Sequence, residues 1–237
     1  KINQNFKKHK YIRKKENSVM KELEILLENW KKQHEKKGYR KFISDGIVNY
    51  DKWKNQSTPK VCYFLKEAYD TNENGFNLTK MLKEKEPWGM WKKVAMWTQA
   101  IYNSFSENIS DYPDKNFQTT IQNISVVNIK KSNGEKVSNN EDLQQFINLD
   151  KERIKKEIEF INPDIIICGK TFKFLKQILD DMEIYENSLI AKWKNILIID
   201  YYHPASRYPN KVNYYSLLSI GKIAQEKYDF KILKNRI

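Results

Sequence analysis

The hydrophobic positions along the chain fall into two patterns, short continuous apolar runs and longer stretches with helical spacing. Runs of about four to eight apolar residues bounded by polar turns are typical of strands buried on both faces. They predict strands over residues 60–65, 121–129, 164–168 and 194–200. Apolar residues three and four positions apart predict helices over residues 18–37, 87–105, 141–160, 171–182 and 212–228. Strands that alternate with helices indicate an α/β protein, in which a mostly parallel sheet of about four strands lies between two helical layers.

The first residues of the chain differ from this pattern. Residues 1–16 are rich in lysine and poor in apolar side chains, so we expect a basic arm that is mobile or only partly helical. The helix over residues 18–37 follows, and Gly38 is a suitable C-terminal stop. We therefore divide the chain into a basic arm with a helical extension, residues 1–58, and an α/β domain, residues 59–237.

The charge of the chain favours a polyanionic partner. Its formal net charge is +13, from 43 Lys and Arg against 30 Asp and Glu, and nucleic acid is the commonest partner of such proteins. A lysine-rich surface that reflects only biased composition would give the same count. No signal peptide or long apolar span is present, so we expect a cytoplasmic protein with no membrane partner. Cys62 and Cys168 fall in apolar runs and are predicted to be buried thiols, too few for a four-cysteine metal site.

The strongest candidate for chemistry is His203. It follows the strand over residues 194–200 in a turn with Pro204, and open α/β sheets bind ligands at the carboxyl ends of their strands. The other two histidines, His9 and His34, lie in lysine-rich stretches and are predicted to be solvated. We interpret the tryptophans of the helix over residues 87–105 as core, because a stripe at this spacing is most often buried.

Four segments at predicted strand ends together resemble the uracil-DNA glycosylase superfamily. Residues 66–70 (Lys-Glu-Ala-Tyr-Asp) stand where the family has Gly-Glu-Ala-Pro-Gly, and residues 126–131 (Val-Val-Asn-Ile-Lys-Lys) resemble its strand that ends in a base-reading asparagine. Residues 161–169 (Ile-Asn-Pro-Asp-Ile-Ile-Ile-Cys-Gly) are similar to its segment of helix end, proline, apolar strand and glycine. Residues 203–207 (His-Pro-Ala-Ser-Arg) resemble its His-Pro loop. The resemblance runs from about residue 61 to the last helix.

The resemblance implies a monomeric, monofunctional DNA glycosylase that needs no cofactor or metal and acts on double- or single-stranded DNA. His203 would donate a hydrogen bond to the departing base, and Glu67, or else Asp70, would supply the carboxylate. Asn128 would read the edge of the extruded base, next to Phe76 and Tyr69. The residues expected to contact the rest of the DNA are Ser206, Arg207, Tyr208, Lys130, Lys131 and Lys170.

Several alternatives remain open at this point. Glu67 could be a solvated loop charge, Asn128 could serve a turn, and Phe76 could be ordinary core. The whole chain could bind nucleic acid without cutting it, whereas an α/β hydrolase is disfavoured because no Gly-x-Ser-x-Gly turn occurs. Lys66 and Tyr69 stand where the family has glycine and proline. This difference favours a modified base, such as a modified cytosine in phage DNA, over uracil, and a role in antiviral defence besides DNA repair.

Overall fold

The computed structural model describes residues 2–69, 74–106 and 116–230, with the backbone alone for residues 2–18 and 186. Within these ranges the helices and strands are, in chain order, α1 (Ile2–Lys36), β1 (Gly46–Ile47), α2 (Tyr50–Asn55), β2 (Val61–Glu67), α3 (Leu78–Glu84), α4 (Met90–Ser104), α5 (Phe117–Ile121), β3 (Ile124–Lys130), α6 (Asn140–Ile161), β4 (Ile165–Gly169), α7 (Phe172–Leu175), β5 (Glu183–Tyr185), β6 (Ile190–Trp193), β7 (Ile196–Tyr201) and α8 (Asn210–Tyr228). The fold is therefore α/β, as the alternation of patterns predicted.

The strands form one sheet in the order β1-β3-β2-β4-β7-β6-β5. Its central strands β3, β2, β4 and β7 are parallel, while β1 at one edge and β6 and β5 at the other are antiparallel. The prediction of a mostly parallel centre is confirmed, but the count of about four strands was wrong for the described chain. The additional strands are two, three and four residues long, too short to show a period.

Helices cover both faces of the sheet, which explains the continuous apolar runs of its central strands. On one face, Trp97 of α4 and Leu217 of α8 pack on the sheet. On the other face, Trp30 of α1, Phe146 of α6 and Phe174 of α7 do so. The result is a three-layer arrangement with a separate apolar core on each side of the sheet.

Local signals account for several helix boundaries. Asn139 begins α6, because its side chain accepts a hydrogen bond from the Glu141 N–H at 2.8 Å. Asn162 ends α6 in a left-handed conformation, just before Pro163. The helix predicted over residues 171–182 was too long, since α7 ends at Leu175 and the chain continues through turns to Asp181 at φ 56°. Helices α2, α3 and α5 were not predicted.

The N-terminal part of the chain belongs to the same packed structure. The backbone of α1 begins at Ile2, so the residues predicted as a partly helical arm continue that helix. Trp30 is fully buried, and β1 pairs with β3. The solvated interpretation of His34 was wrong: it is 1% exposed, since it lies on the face of α1 that packs against α6.

The cysteine prediction is confirmed, since both thiols are buried in the sheet. Burial raises the pKa of Cys62 to about 12, so this thiol stays protonated near neutral pH. Among the residues that the structure describes, no group of three or more His, Cys, Asp or Glu side chains could hold a metal ion. None of the described helices is long and apolar enough to cross a membrane.

Candidate active site

The carboxyl ends of the four parallel strands meet at one edge of the sheet. There β2 ends at Glu67, β3 at Lys130, β4 at Gly169 and β7 at Tyr201, and Glu67 lies opposite Lys130 while Gly169 lies opposite Tyr201. The loops that follow these strands therefore begin side by side, at the position where open α/β sheets bind ligands.

A cavity of about 790 Å³ opens at this edge. Its wall comes from the end of β2, the segment that leads into α3, α3 itself, the start of α4, the loop between β3 and α6 and the loop after β7. Four of the predicted site residues line it, namely Glu67, Tyr69, Phe76 and His203. The structure thus brings the proposed carboxylate and the proposed imidazole to the same cavity.

His203 is held by its own loop and by the glycine beside it. The Ala205 N–H donates to His203 Nδ1 at 3.2 Å, so Nδ1 is the acceptor and the ring proton lies on Nε2. A Cβ on Gly169 would come within 2.7 Å of the Leu65 side chain, 3.3 Å of Pro204 and 3.5 Å of the His203 ring. Glycine at the end of β4 therefore lets the imidazole approach the sheet closely.

The charge state of His203 follows from its surroundings. The ring is half-buried, and burial lowers its pKa to about 4, with a further contribution from the positive charges of Lys66 and Lys170. At neutral pH the imidazole is therefore uncharged, and its Nε2–H is available as a hydrogen-bond donor.

Glu67 is the best-organised carboxylate at the cavity. Its side chain is only 2% exposed. Its Oε2 accepts a hydrogen bond from the Glu135 N–H at 2.9 Å and lies 3.4 Å from Lys130 Nζ. Its Oε1 is buried and has no hydrogen-bond partner among the described residues. A buried carboxylate oxygen without a partner is costly, and because Glu67 lines the cavity, a group that enters there can supply the partner.

The loop between β3 and α6 closes tightly over the end of β2, and a glycine makes this possible. A Cβ on Gly134 would lie 1.9 Å from the Ala68 carbonyl oxygen, which no side chain could accommodate. This close approach delivers the neighbouring Glu135 N–H to the Glu67 carboxylate.

Asn128 lies near the cavity but not on its lining. It is 2% exposed and stands opposite Leu65 in the sheet. Asp45 Oδ2 accepts from the Asn128 backbone N–H at 2.7 Å and from its Nδ2 at 2.9 Å. The structure therefore shows a buried, oriented amide, and its role in reading a base stays a prediction.

The structure contradicts the prediction that Lys130 and Lys131 contact DNA phosphates. Lys130 is 4% exposed and Lys131 is 1% exposed. Lys130 is paired with Glu67 and Asp142, and Lys131 with Asp45 and Glu157. Both ammonium groups are therefore used inside the protein.

The remaining predicted DNA contacts lie around the cavity rather than in it. Lys170 is exposed, and its backbone N–H donates to the Tyr201 carbonyl at 2.8 Å. Arg207 and Tyr208 are exposed, and the Tyr208 ring lies 4.4 Å from that of Tyr202, which is also exposed. These positions suit contacts with a large ligand.

Ser206 is half-buried and belongs to the turn that follows His203. Its N–H donates to the His203 carbonyl at 2.8 Å, and its carbonyl accepts from Lys93 Nζ on α4. Tyr69 is half exposed at the cavity, and Phe76 is half-buried there. Asp70, the alternative carboxylate, lies outside the described residues.

Sequence reasoning missed some residues of this site. Trp88 was interpreted as core, but it is 43% exposed and lines the cavity, whereas Trp91 is buried. Pro87 and Gly89 flank Trp88 and were a turn signal that places it before α4. Asp45 carried no such signal, because its partners are more than eighty positions away in the sequence.

In comparisons with known proteins, the chain matches no known protein family and no curated protein sequence.

Proposed function

We propose that this protein is a monofunctional DNA glycosylase that extrudes a pyrimidine nucleotide from DNA and removes its base, leaving an abasic site. The observation that carries the proposal is that one cavity is lined both by an uncharged imidazole and by a buried carboxylate whose Oε1 has no hydrogen-bond partner among the described residues. The resemblance of four strand-end segments to the uracil-DNA glycosylase superfamily supports the same reaction.

The two groups suit the two charges that develop when an N-glycosidic bond breaks. The electron pair of the C1′–N bond goes to the base, and negative charge collects on its ring oxygen, where the His203 Nε2–H can donate. The sugar becomes positive, and the Glu67 carboxylate stabilises it and holds the water that bonds to C1′. This water loses a proton and the base gains one, so the reaction balances without a cofactor.

The size of the cavity favours a substituted base. Cavities of roughly 300 to 1,000 Å³ hold drug-sized ligands, and about 790 Å³ is more room than a bare pyrimidine ring fills. We therefore favour a modified base, for example a modified cytosine in phage DNA, over uracil. With that substrate the enzyme would act in antiviral defence, whereas uracil would indicate DNA repair.

The outer surface is suited to DNA. The net charge of +13 favours a polyanion, and exposed Lys170, Arg207 and Tyr208 lie on the loops beside the cavity. Phosphate contacts would come from Lys170 and Arg207, and Tyr208 could fill the space left by the extruded nucleotide.

The decisive experiment measures abasic sites after incubation with DNAs that carry uracil or different modified cytosines. We expect product from at least one DNA, a loss of about 100- to 1,000-fold in rate for His203→Ala and a loss of at least about 100-fold for Glu67→Gln. Glu159→Gln is the matched control, because this exposed carboxylate on α6 pairs with Lys194.

The second candidate function is a glycosylase-like protein that binds nucleic acid without cutting it. The burial of Asn128 below the cavity lining favours this alternative. Tight DNA binding with no abasic product from any of the DNAs would establish it and refute the enzyme. Product formation that His203→Ala leaves unchanged would refute the chemistry assigned to the imidazole.

A further inference from the structure

Lys130 is the last residue of β3 and lies directly opposite Glu67 in the sheet. Its ammonium group is 3.4 Å from Glu67 Oε2, donates a hydrogen bond to Asp142 Oδ2 and lies 5.4 Å from the centre of the Phe146 ring. A buried ammonium group is stable only when it is paired, and here the pairing connects the cavity carboxylate to α6.

Both contacts that hold the Glu67 carboxylate fall on the same oxygen. Lys130 Nζ and the Glu135 N–H both approach Oε2, and Oε1 is left without a partner among the described residues. Because both contacts are made to Oε2, they fix the rotation of the carboxylate about the Cγ–Cδ bond. They also decide which oxygen is available to a water or a substrate.

The position of Lys130 is in turn fixed from the other side. The Asp142 carboxylate, on the first turn of α6, is one-third exposed, whereas the Lys130 side chain is 4% exposed. The lysine is therefore held between a carboxylate at the surface and a carboxylate at the cavity, with an aromatic ring against it. A side chain held in this way has no freedom to reach a DNA phosphate.

We propose that Lys130 is a positioning residue for Glu67, which it holds so that Oε1 serves the reaction. This inference rests on the proposed function, because it assigns Lys130 a part in the same chemistry. A positioning role and a phosphate contact predict different results. As a positioning residue, Lys130 affects the chemical step and leaves the electrostatic attraction to DNA unchanged.

The test compares Lys130→Met with Lys130→Arg in the full-length protein, on the DNA that the wild-type protein cleaves. A displaced catalytic group typically costs up to about 100-fold in rate. We expect Lys130→Met to lower kcat by about 10- to 100-fold with KM changed by less than about threefold. Lys130→Arg, which keeps the charge, should recover most of kcat.

Salt dependence separates positioning from phosphate contact. Each phosphate that a cation neutralises contributes about 0.9 to the slope of log affinity against log salt. We expect Lys130→Met to leave this slope unchanged and Lys170→Met, at an exposed position, to reduce it by about 0.9. Lys155→Met, which removes a lysine of α6 that pairs with Asp180 at the surface, is the control for losing a lysine elsewhere and should alter neither kcat nor slope.

If Lys130 only stabilised the fold, Lys130→Met would lower the folded fraction and leave kcat per folded molecule unchanged. The free energy of unfolding of each variant gives the folded fraction, and kcat is expressed per folded molecule. If Lys130→Met does not fold, Asp142→Asn serves instead, because it releases Lys130 without touching Glu67, and we expect a drop in kcat of about three- to tenfold.

The inference would be overturned if Lys130→Met kept the wild-type kcat per folded molecule, or if Asp142→Asn did so where Lys130→Met does not fold. A salt slope that falls with Lys130→Met would also overturn it. A wild-type protein that forms no abasic sites would instead refute the proposed function, and this is seen before any variant is made.

Discussion

Two clusters of buried charge lie side by side at the end of β3, and they differ in one respect. The closed cluster consists of Asp45, Asn128, Lys131 and Glu157, and the open cluster consists of Glu67, Lys130 and Asp142. In the closed cluster Lys131, Asp45 and Glu157 have completely buried side chains. In the open cluster the Glu67 side chain is also buried, but its carboxylate lines a cavity.

The closed cluster is held together by its own charged groups. Burial opposes the ammonium form of Lys131, but attraction to Asp45 and Glu157 exceeds this effect and its pKa is raised. Burial raises the pKa of Glu157 well above its ordinary range, and attraction to Lys131 opposes this shift. The ammonium group of Lys131 thus lies between the side chains of Asp45 and Glu157, and Asp45 also accepts hydrogen bonds from the backbone N–H and Nδ2 of Asn128.

The difference between the clusters indicates what each is for. A buried charged group that is paired stabilises one arrangement of the chain. Within the described residues each cluster contains a buried carboxylate oxygen without a hydrogen-bond partner, Glu157 Oε1 in the closed cluster and Glu67 Oε1 in the open one. Only the Glu67 carboxylate lines the cavity, where a ligand can supply the partner. The closed cluster therefore joins β1, β3 and α6, and the open cluster prepares the cavity for a ligand. Variants should accordingly affect stability in the closed cluster and activity in the open one.

The largest expected effect on stability is that of Lys131→Met. The change removes the cation and leaves the Asp45 carboxylate buried without its partner, which typically costs about 3 to 5 kcal/mol. Urea denaturation measures the free energy of unfolding. The control is Lys155→Met, whose pair with Asp180 lies at the surface and is worth at most about 1 kcal/mol. Equal losses in the two variants would show that the closed cluster contributes no more than a surface ion pair.

A feature of this site could be predicted from the sequence when it arises from neighbouring residues, and not when it depends on residues that are distant in the sequence. The parallel strands were predictable because each carries its own continuous apolar run, and His203 and Glu67 were predictable because strand ends gather at one edge. The burial of Lys130 and Lys131 was not, since it depends on carboxylates brought from Asp45, Glu67 and α6 by the fold. At the end of a strand, a lysine gives the same sequence pattern whether its side chain faces solvent or pairs with a carboxylate that is distant in the sequence.

A smaller effect is expected from a second self-contained cluster, between α1 and α6. His34 Nδ1 is 2.7 Å from Ser132 Oγ, and its Nε2 is 2.8 Å from Asp150 Oδ2. His34→Phe keeps an aromatic ring and removes both of these contacts and the hydrogen bond that the Trp30 indole N–H donates to Nε2 at 3.0 Å, so it should cost about 1 to 3 kcal/mol. For a chain of this size each kcal/mol lowers Tm by roughly 2 to 4 °C, which calorimetry can measure.

Ser132→Ala is the graded control for this cluster. It removes the Nδ1 partner alone and should cost about 1 kcal/mol. If His34→Phe were no less stable than the wild-type protein, the hydrogen bonds of His34 would contribute nothing beyond ring packing, and the cluster would not fix α1 to α6.

The smallest expected effect concerns pH and belongs to the cavity. Burial and nearby lysines lower the pKa of His203 from its ordinary 6.5 to about 4. Between these values the unfolded chain binds more protons than the folded protein, so this residue makes stability rise with pH across that window and fall as pH drops towards 4. With allowance for partial exposure, we expect this residue to lower the free energy of unfolding by about 1 to 2 kcal/mol between pH 7 and pH 4.5. His203→Gln should abolish this contribution.

The measurement is urea denaturation of both proteins at several pH values, with the difference between their free energies of unfolding plotted against pH. The closed cluster should not contribute to this difference, because both proteins contain it unchanged. A difference that stays constant from pH 7 to pH 4.5 would mean that His203 titrates as it does in the unfolded chain. The imidazole would then titrate near its ordinary pKa of 6.5, and the lowered pKa that keeps it uncharged well below neutral pH would be wrong.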